Sequence, residues 1–242
     1  KLAQPFRMAA HNGEINTLSG NRNRMRAREM RMKCEKLGED LTDLFPVLTE
    51  GASDSAQFDN CLELLVRAGR SLPHAMMMMI PEAFGPRYHM STDKRAFYEY
   101  HAAIMEPWDG PAAMVFTDGK IVGGTLDRNG LRPARYVVTT DGRVILGSEV
   151  GTVDLPPERV QRKGRLQPGK MFLVDTEEGR VIADNEIKSK IARQKPYRRW
   201  LEENRIELRG LFEATRDEAP DEADLTRVMR AFGYTREELQ VI

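Results

Sequence analysis

The first hundred residues carry apolar side chains at helical spacing, and this pattern predicts three helices. The stretch 21–37 is basic and forms the first of them. The second covers 53–70, where Ser53 or Asp54 is placed to cap the N-terminus. The third runs over 91–106 and ends before a proline. The apolar face of the second helix, which is expected to enter the core, consists of Phe58, Leu62, Leu65 and Val66.

The hydrophobic period changes to two after residue 111, which predicts short β-strands. Asp118-Gly119 and Asp141-Gly142 are typical of tight hairpin turns between such strands. Helices thus precede strands along the chain, and this order favours an α+β fold with separate layers over alternating βαβ units. The predicted strands are 112–117, 120–126, 134–140, 143–149, 170–176 and 180–184.

The chain is expected to divide into three parts. Residues 1–185 contain these helices and strands and are predicted to form the main domain, with four consecutive methionines at 76–79 packed in its core. Residues 186–222 are charged and are predicted to form a helical linker broken by Pro196. Residues 223–242 are predicted to begin a further domain.

Composition narrows the classes of partner and environment. The 37 basic and 37 acidic residues cancel, so no global charge argues for nucleic acid or an anionic membrane as a partner. No apolar run approaches the roughly 20 residues that span a bilayer. The two cysteines, Cys34 and Cys61, are too few for a disulfide framework or a metal cluster. Both fall within predicted helices as packing residues, which suits a reducing, cytoplasmic environment.

The stretch "AAHNGEINT" places a bare amide and a glycine, Asn12 and Gly13, where an apolar segment ends. Spacing alone favours a two-residue hairpin turn here, because both residues tolerate positive φ. The alternative is a chemical role for the amide and the glycine. Motifs elsewhere in the chain bear on that choice.

Three segments occur in a particular order: "KLAQPFRMAAHNGEINTLSGNRNRMRARE", "EGASDSAQFDN" and "GTLDRNGLRPARY". Together they resemble the class II glutamine amidotransferase domain of the glutamate synthases, and the likeness covers essentially residues 1–195. The resemblance implies an N-terminal-nucleophile hydrolase fold, an αββα sandwich that would be incomplete here. A C-terminal helical linker would lead into the central domain of such an enzyme.

The resemblance also implies roles for particular residues. Asn12 and Gly13 match the oxyanion hole, whose amide and backbone N–H stabilise the negative tetrahedral intermediate of glutamine hydrolysis. Asp54 matches the carboxylate that binds the α-ammonium of glutamine; the alternative is that it only caps its helix. Residues expected to support the site are His11, Glu14, Arg128 and Arg132.

The chain departs from the family pattern in one respect. The family nucleophile is a cysteine at the mature N-terminus, with its own α-amino group as the base, whereas this chain begins with Lys1. We therefore expect a piece of a longer polypeptide that is inactive alone. Two alternatives stay open: a non-catalytic module that binds glutamine or a neighbouring domain, and another class II amidotransferase.

Cofactors and partners follow from the resemblance alone. No cofactor or metal is expected within this piece, whereas the parent enzyme would hold FMN and an iron–sulfur cluster. Glutamine is the expected substrate, and its ammonia would pass through a tunnel to 2-oxoglutarate. The remaining domains of the polypeptide are expected partners, together with a small NADPH-oxidising subunit or ferredoxin. The location would be cytoplasmic, or plastid for a ferredoxin-dependent form.

Overall fold

The structure, a computed structural model, describes residues 6–206 and 222–234, and the side chains of 222–224 lie outside that description. The chain divides into two compact units, residues 1–203 and 204–242. The helices are α1 Leu18–Glu29, α2 Asp54–Arg67, α3 Leu72–Met79, α4 Thr92–Ile104, α5 Asp184–Ala192, α6 Tyr197–Asn204 and α7 Glu222–Ala231. Two short 3-10 helices cover Gly38–Leu44 and Pro157–Arg159.

Among the described residues, eight strands form two antiparallel sheets. The larger sheet has the order β1-β2-β3-β7-β8, and the smaller has the order β5-β4-β6. Strand β1 therefore lies at one edge of the larger sheet. The strands are β1 Ala9–Gly13, β2 Ala112–Thr117, β3 Ile121–Leu126, β4 Arg135–Thr139, β5 Val144–Gly147, β6 Val160–Arg165, β7 Met171–Asp175 and β8 Arg180–Ile182.

Alternate residues of the strands in the larger sheet point to its opposite faces, and an apolar core covers each face. Met114 and Leu173 face a core that they share with the helices. Phe172 faces a smaller core on the other side, where Tyr136 of the smaller sheet stacks on it with ring centroids 4.4 Å apart. The order of layers is thus helices, larger sheet, smaller sheet. The predicted α+β class is confirmed.

Helix α3 lies inside the helical layer and contacts α2, α4 and α5. All eight of its residues are buried, including the four methionines, so their predicted core role is confirmed. His74 of this helix meets His101 of α4, with the two Nε2 atoms 2.9 Å apart. Nδ1 of His101 lies 2.7 Å from the carbonyl oxygen of Phe97. Both histidines are buried.

Most predicted elements agree with the structure. Ser53 and Ser91 cap α2 and α4 through their hydroxyl groups, which accept hydrogen bonds from Ala56 N–H and Lys94 N–H. The six predicted strands are present as β2, β3, β4, β5, β7 and β8. Strand β6 was missed, because its sequence VQRKGR has little apolar alternation.

The first predicted helix is too long. It was expected over 21–37 but ends at Glu29, whose carboxylate accepts a hydrogen bond from Val47 N–H at 2.8 Å. The chain then turns, so Cys34 lies in an irregular segment packed against the core, and its predicted helical position is wrong. A contact between residues 18 positions apart stabilises the chain at this boundary, and local periodicity carries no signal for it.

The first compact unit extends past residue 185, where the predicted linker begins. Helix α5 begins at Asp184, two residues before that predicted linker, and α6 falls within it; the two are separated at Pro196, as expected. Ile191 and Tyr197 are buried in the same core as α3. Residues 207–221 of the predicted linker and 235–242 of the predicted further domain lie outside the described residues. The three-part division stays a prediction.

Candidate functional site

The Asn12-Gly13 pair lies inside strand β1. Asn12 is opposite Ala113 and Gly13 is opposite Ala112 of β2. The hairpin turn that spacing favoured is therefore wrong: the apolar pair before these residues opens the strand, and the strand continues through both of them. The two residues occupy its last positions, at the end of an edge strand.

The backbone N–H of Gly13 points to the open edge of the sheet. Glu14 N–H donates to the carbonyl of Pro111 at 2.9 Å, and Thr117 N–H donates to the carbonyl of Met8 at 2.9 Å. Antiparallel strands bond through alternate residues, so the even positions of β1 face β2 and Gly13 faces away. No described residue accepts a hydrogen bond from Gly13 N–H.

The side-chain amide of Asn12 is a second donor that remains available. Asn12 is exposed, and its amide makes no hydrogen bond to any residue in the described ranges. It shares a sheet face with Ala113, which packs against the core between the two sheets. Two consecutive residues therefore present free N–H donors at one strand end.

Glycine is required at this strand end for a steric reason. A Cβ on Gly13 would lie 1.8 Å from the carbonyl oxygen of Pro111. Gly110 has the reciprocal constraint, since its Cβ would lie 2.0 Å from the carbonyl oxygen of Glu14. Both contacts are with backbone atoms, and both glycines have positive φ. The close approach of the two segments fixes where β1 ends.

Asp54 is the first residue of α2, and Ser53 before it is the cap. One carboxylate oxygen of Asp54 accepts from Ile15 N–H at 2.8 Å, and the other from Ser55 N–H at 2.7 Å. The side chain keeps 20% exposure. Asp54 thus ties the helix to the chain just beyond Gly13 and still presents negative charge to solvent.

His11 lies between β1 and α2 with its side chain 1% exposed. Its Nδ1 is 2.9 Å from the Ser55 hydroxyl and 3.7 Å from the carboxylate of Asp54. Burial lowers the pKa of His11 below its ordinary value, although Asp54 opposes this shift and Arg132 adds to it. The imidazole is therefore neutral at pH 7. Its Nε2 is buried and has no well-formed hydrogen bond.

The loop that follows β3 reaches the same end of the sheet. Asp127 is 3% exposed and organises the loop. Its carboxylate accepts from Ala112 N–H at 3.1 Å, from Asn129 N–H at 2.9 Å and from Leu131 N–H at 3.1 Å. Because Ala112 is opposite Gly13, this loop is fixed beside the strand end.

The two arginines of this loop are placed differently. Arg128 pairs with Asp109 at 2.5 Å, and the carbonyl of Asp109 accepts from Asn16 N–H at 2.8 Å. Arg132 is exposed and close enough to affect the pKa of His11. The structure therefore brings all the predicted site residues to one end of the larger sheet: His11, Asn12, Gly13, Glu14, Asp54, Arg128 and Arg132.

Two buried aspartates that organise this region were not predicted. One is Asp127. The other is Asp59 of α2, 3% exposed, which accepts from the N–H groups of Arg7 at 2.8 Å, Met8 at 2.9 Å and Ala9 at 2.7 Å. Helix α2 thus holds β1 near both ends. An aspartate inside the apolar run "AQFDNCLELL" was the available signal.

Neither thiol resembles an activated nucleophile in its surroundings. Cys61 is fully buried, and burial raises its pKa to about 12. Cys34 packs against the core after α1. Within 6–206 and 222–234, no group of three His, Cys, Asp or Glu side chains could hold a metal ion. None of the helices in those ranges is long and apolar enough to cross a membrane.

Comparison with known families identifies the class of protein. The family model described as "Glutamine amidotransferases class-II" matches residues 1–200. That match covers most of the chain, and it includes both sheets and every site residue described above. The chain belongs to the class II glutamine amidotransferases.

Several named relatives of this chain are glutamate synthases. The NADPH-type large chain of Bacillus subtilis is 52% identical over 238 residues, which cover 98% of this chain and 16% of that protein. The NADH-type enzyme of Schizosaccharomyces pombe is 50% identical, over 99% of this chain and 12% of that protein. Ferredoxin-dependent glutamate synthase 2 of Synechocystis is 43% identical, over 100% of this chain and 16% of that protein. The chain thus spans a small fraction of each relative.

Among solved structures, the chain is similar to the glutamine phosphoribosylpyrophosphate amidotransferase of B. subtilis in complex with ADP and GMP. The TM-score is 0.40 with 16% sequence identity, over 72% of this chain and 28% of that one. This similarity is too distant to assign any residue, so the site rests on its own geometry.

Proposed function

We propose that this chain is part of the glutaminase domain of a glutamate synthase. Its function would be to release ammonia from the side chain of glutamine, for addition to 2-oxoglutarate elsewhere in the same polypeptide. The names of the relatives, at 43–52% identity over nearly the whole chain, support this assignment. Membership of the class II amidotransferases restricts the chemistry to glutamine amide transfer.

Asn12 and Gly13 would form the oxyanion hole. One observation supports the proposal. The Asn12 amide and the outward N–H of Gly13, on consecutive residues of one strand, are hydrogen-bond donors without an acceptor among the described residues. Donors fixed before the reaction stabilise the tetrahedral oxyanion without further reorganisation. The outward N–H of an edge strand has no strand partner and a side-chain amide takes no part in pairing, so both donors remain available to a ligand.

Asp54 would bind the α-ammonium of the substrate. Its carboxylate is held by two backbone N–H groups and keeps partial exposure next to Gly13. A charge-assisted bond from the ammonium would select free glutamine over a glutamine residue within a peptide. His11 contacts the Ser55 hydroxyl beside Asp54 and is neutral, so it does not neutralise the charge of the Asp54 carboxylate.

The nucleophile would be supplied by another segment of the polypeptide. The family uses an N-terminal cysteine, and neither the sealed Cys61 nor Cys34 has that character. The FMN and iron–sulfur cluster of the parent enzyme would likewise be held by other segments. The electron donor would be a small NADPH-oxidising subunit or ferredoxin, acting on those other segments.

The test is Asn12→Ala in the complete polypeptide that carries this sequence. Glutamine-dependent kcat should fall by about 100- to 1000-fold with KM little changed, because the lost donor acts on the developing oxyanion. Synthesis from added ammonia should be spared. Asn23→Ala removes an equally exposed amide from α1 and should leave glutamine turnover unchanged.

Two results would contradict the proposal. Equal kinetics in Asn12→Ala and the parent would remove Asn12 from the oxyanion hole. Glutamine binding without any turnover in the unmodified polypeptide would favour the alternative of a non-catalytic module. Calorimetric titration with glutamine beside an ammonia-release assay distinguishes these cases.

A further inference from the structure

A buried ionic cluster lies behind the site, between α4 and α5. Lys188 of α5 is at its centre with a side chain 2% exposed. Its ammonium is 2.8 Å from Asp184 and 3.3 Å from Glu82. Glu82 also receives Lys94 at 3.1 Å and the Tyr98 hydroxyl at 3.0 Å. This cluster contributes no ligand to the site described above.

The shortest contact of Lys188 is with a backbone oxygen. Its ammonium donates to the carbonyl of Gly169 at 2.6 Å. Gly169 sits in the turn before β7 with φ +64°, and a Cβ there would lie 2.7 Å from Cβ of Glu82. The turn therefore packs directly against the cluster, and the hydrogen bond from Lys188 holds the turn in position.

The same turn holds the loop of the site. Gly169 N–H donates to the carbonyl of Asp127 at 2.9 Å. The carboxylate of Asp127 in turn accepts from Ala112 N–H, and Ala112 is the strand partner of Gly13. A continuous path of hydrogen bonds and strand pairing thus runs from Lys188 to the strand end that carries the Asn12 amide and the Gly13 N–H.

We propose that Lys188 is a positioning residue for glutamine hydrolysis. By fixing the Gly169 turn, it holds the loop at Asp127 and so the placement of Gly13 and Asn12 relative to the substrate. The inference rests on the function proposed above. Small misplacements of such donors are costly, since a shift of about 1 Å lowers a rate by roughly 100-fold.

The ion pairs by themselves do not need Lys188. Without it, Glu82 would keep Lys94 and Tyr98. Asp184 would keep Lys170 at 3.1 Å and the N–H of Met171 at 2.9 Å. The group left without a charged donor is the Gly169 carbonyl. The main consequence of removing Lys188 is therefore expected in the turn.

The experiment compares Lys188→Met with Lys170→Met in the complete polypeptide. Both remove one positive charge from the same cluster, but the Lys170 ammonium donates to Asp184, whereas the Gly169 carbonyl accepts from Lys188. Lys188→Met should lower kcat for glutamine about 10- to 100-fold with KM within about 3-fold, because Asp54 is anchored separately. Lys170→Met should change neither by more than about 2-fold.

Wild-type kcat in folded Lys188→Met, or an equal loss in Lys170→Met, would overturn the inference. If Lys188→Met does not fold, hydrogen exchange of the wild-type polypeptide decides. Peptides covering 127–131 and 166–171 must then open as one slow unit, and much faster exchange in 127–131 would overturn the inference. Absence of glutaminase activity in the wild type would instead refute the proposed function.

Discussion

Acidification between pH 7 and pH 5 should destabilise the fold through the histidine pair of α3 and α4. The carbonyl of Phe97 can only accept, so Nδ1 of His101 carries a proton and its Nε2 accepts from Nε2–H of His74. Both rings are therefore neutral in the folded state. Adding a proton to Nε2 of His101 would place two N–H groups against each other.

The magnitude follows from the pKa values. Burial lowers the pKa of His74 to about 3 and that of His101 to about 4, from 6.5 for an unperturbed histidine. The unfolded chain thus binds more protons than the native one below pH 6.5, so stability present above that pH is lost on acidification. Each histidine contributes about 2 kcal/mol between pH 7 and pH 5, or about 3 to 4 kcal/mol for the coupled pair.

The carboxyl of Asp184 contributes to the pH dependence of stability at a lower pH than these histidines do. Burial opposes ionisation of Asp184, yet the charges of Lys188 and Lys170 and the hydrogen bonds from Lys188 and Met171 together outweigh it and lower the pKa of that carboxyl. A carboxyl with a depressed pKa contributes stability that is lost only below the ordinary aspartate range. The interval from pH 7 to pH 5 therefore reports mainly on histidines.

The assay is urea unfolding at constant ionic strength, followed by tryptophan fluorescence at pH 7, 6 and 5. His74→Phe keeps an aromatic ring beside Phe97 and should reduce the pH-dependent loss by about 2 kcal/mol. His89→Gln alters an exposed histidine and should leave the loss unchanged. A loss below about 1 kcal/mol in the wild type, or the same slope in His74→Phe, would refute the reasoning.

In the complete polypeptide, Asp54→Asn should lower kcat/KM for glutamine at least about 30-fold by removing the charge beside the site. Its melting temperature should fall as well, because both carboxylate oxygens accept backbone N–H groups; a lower melting temperature with unchanged kinetics would leave Asp54 a structural role only. Gly13→Ala would bring a Cβ to 1.8 Å from the Pro111 oxygen and should cost about 3 kcal/mol or more in urea unfolding. Gly119→Ala, where a Cβ meets nothing within 4 Å, should cost only about 1 kcal/mol, and equal costs would contradict the steric argument. The buried Cys61 thiol should react with iodoacetamide only after unfolding, as mass spectrometry would show; labelling of the native protein at the rate of a free thiol would contradict its burial.

The sequence predicted those parts of the fold that local physics controls. The caps at Ser53 and Ser91 and the alternation in β2 are decided by neighbouring residues, and these elements agree with the structure. The end of α1 depends on the contact between Glu29 and Val47. Strand β6 depends on pairing with β4. Local sequence patterns predict neither the end of α1 nor strand β6.

The candidate site shows the same division. Asn12, Gly13 and Asp54 were found through motifs, and the structure places them at one strand end. The hairpin expectation for Asn12-Gly13 failed because pairing with β2 overrides the turn preference of these residues. Asp59 acts on backbone groups about 50 positions away in the chain. Its importance appears only once the chain has folded.

The methionine-rich helix α3 has a consequence for oxidation chemistry. Its four thioethers are 0–4% exposed, whereas Met30, at the end of α1, is 90% exposed. A sulfoxide is polar and does not fit an apolar core, so peroxide should modify Met30 in the native protein and reach α3 only when the helical layer opens. Sulfoxide formation at residues 76–79, relative to Met30, would therefore measure how often that layer opens.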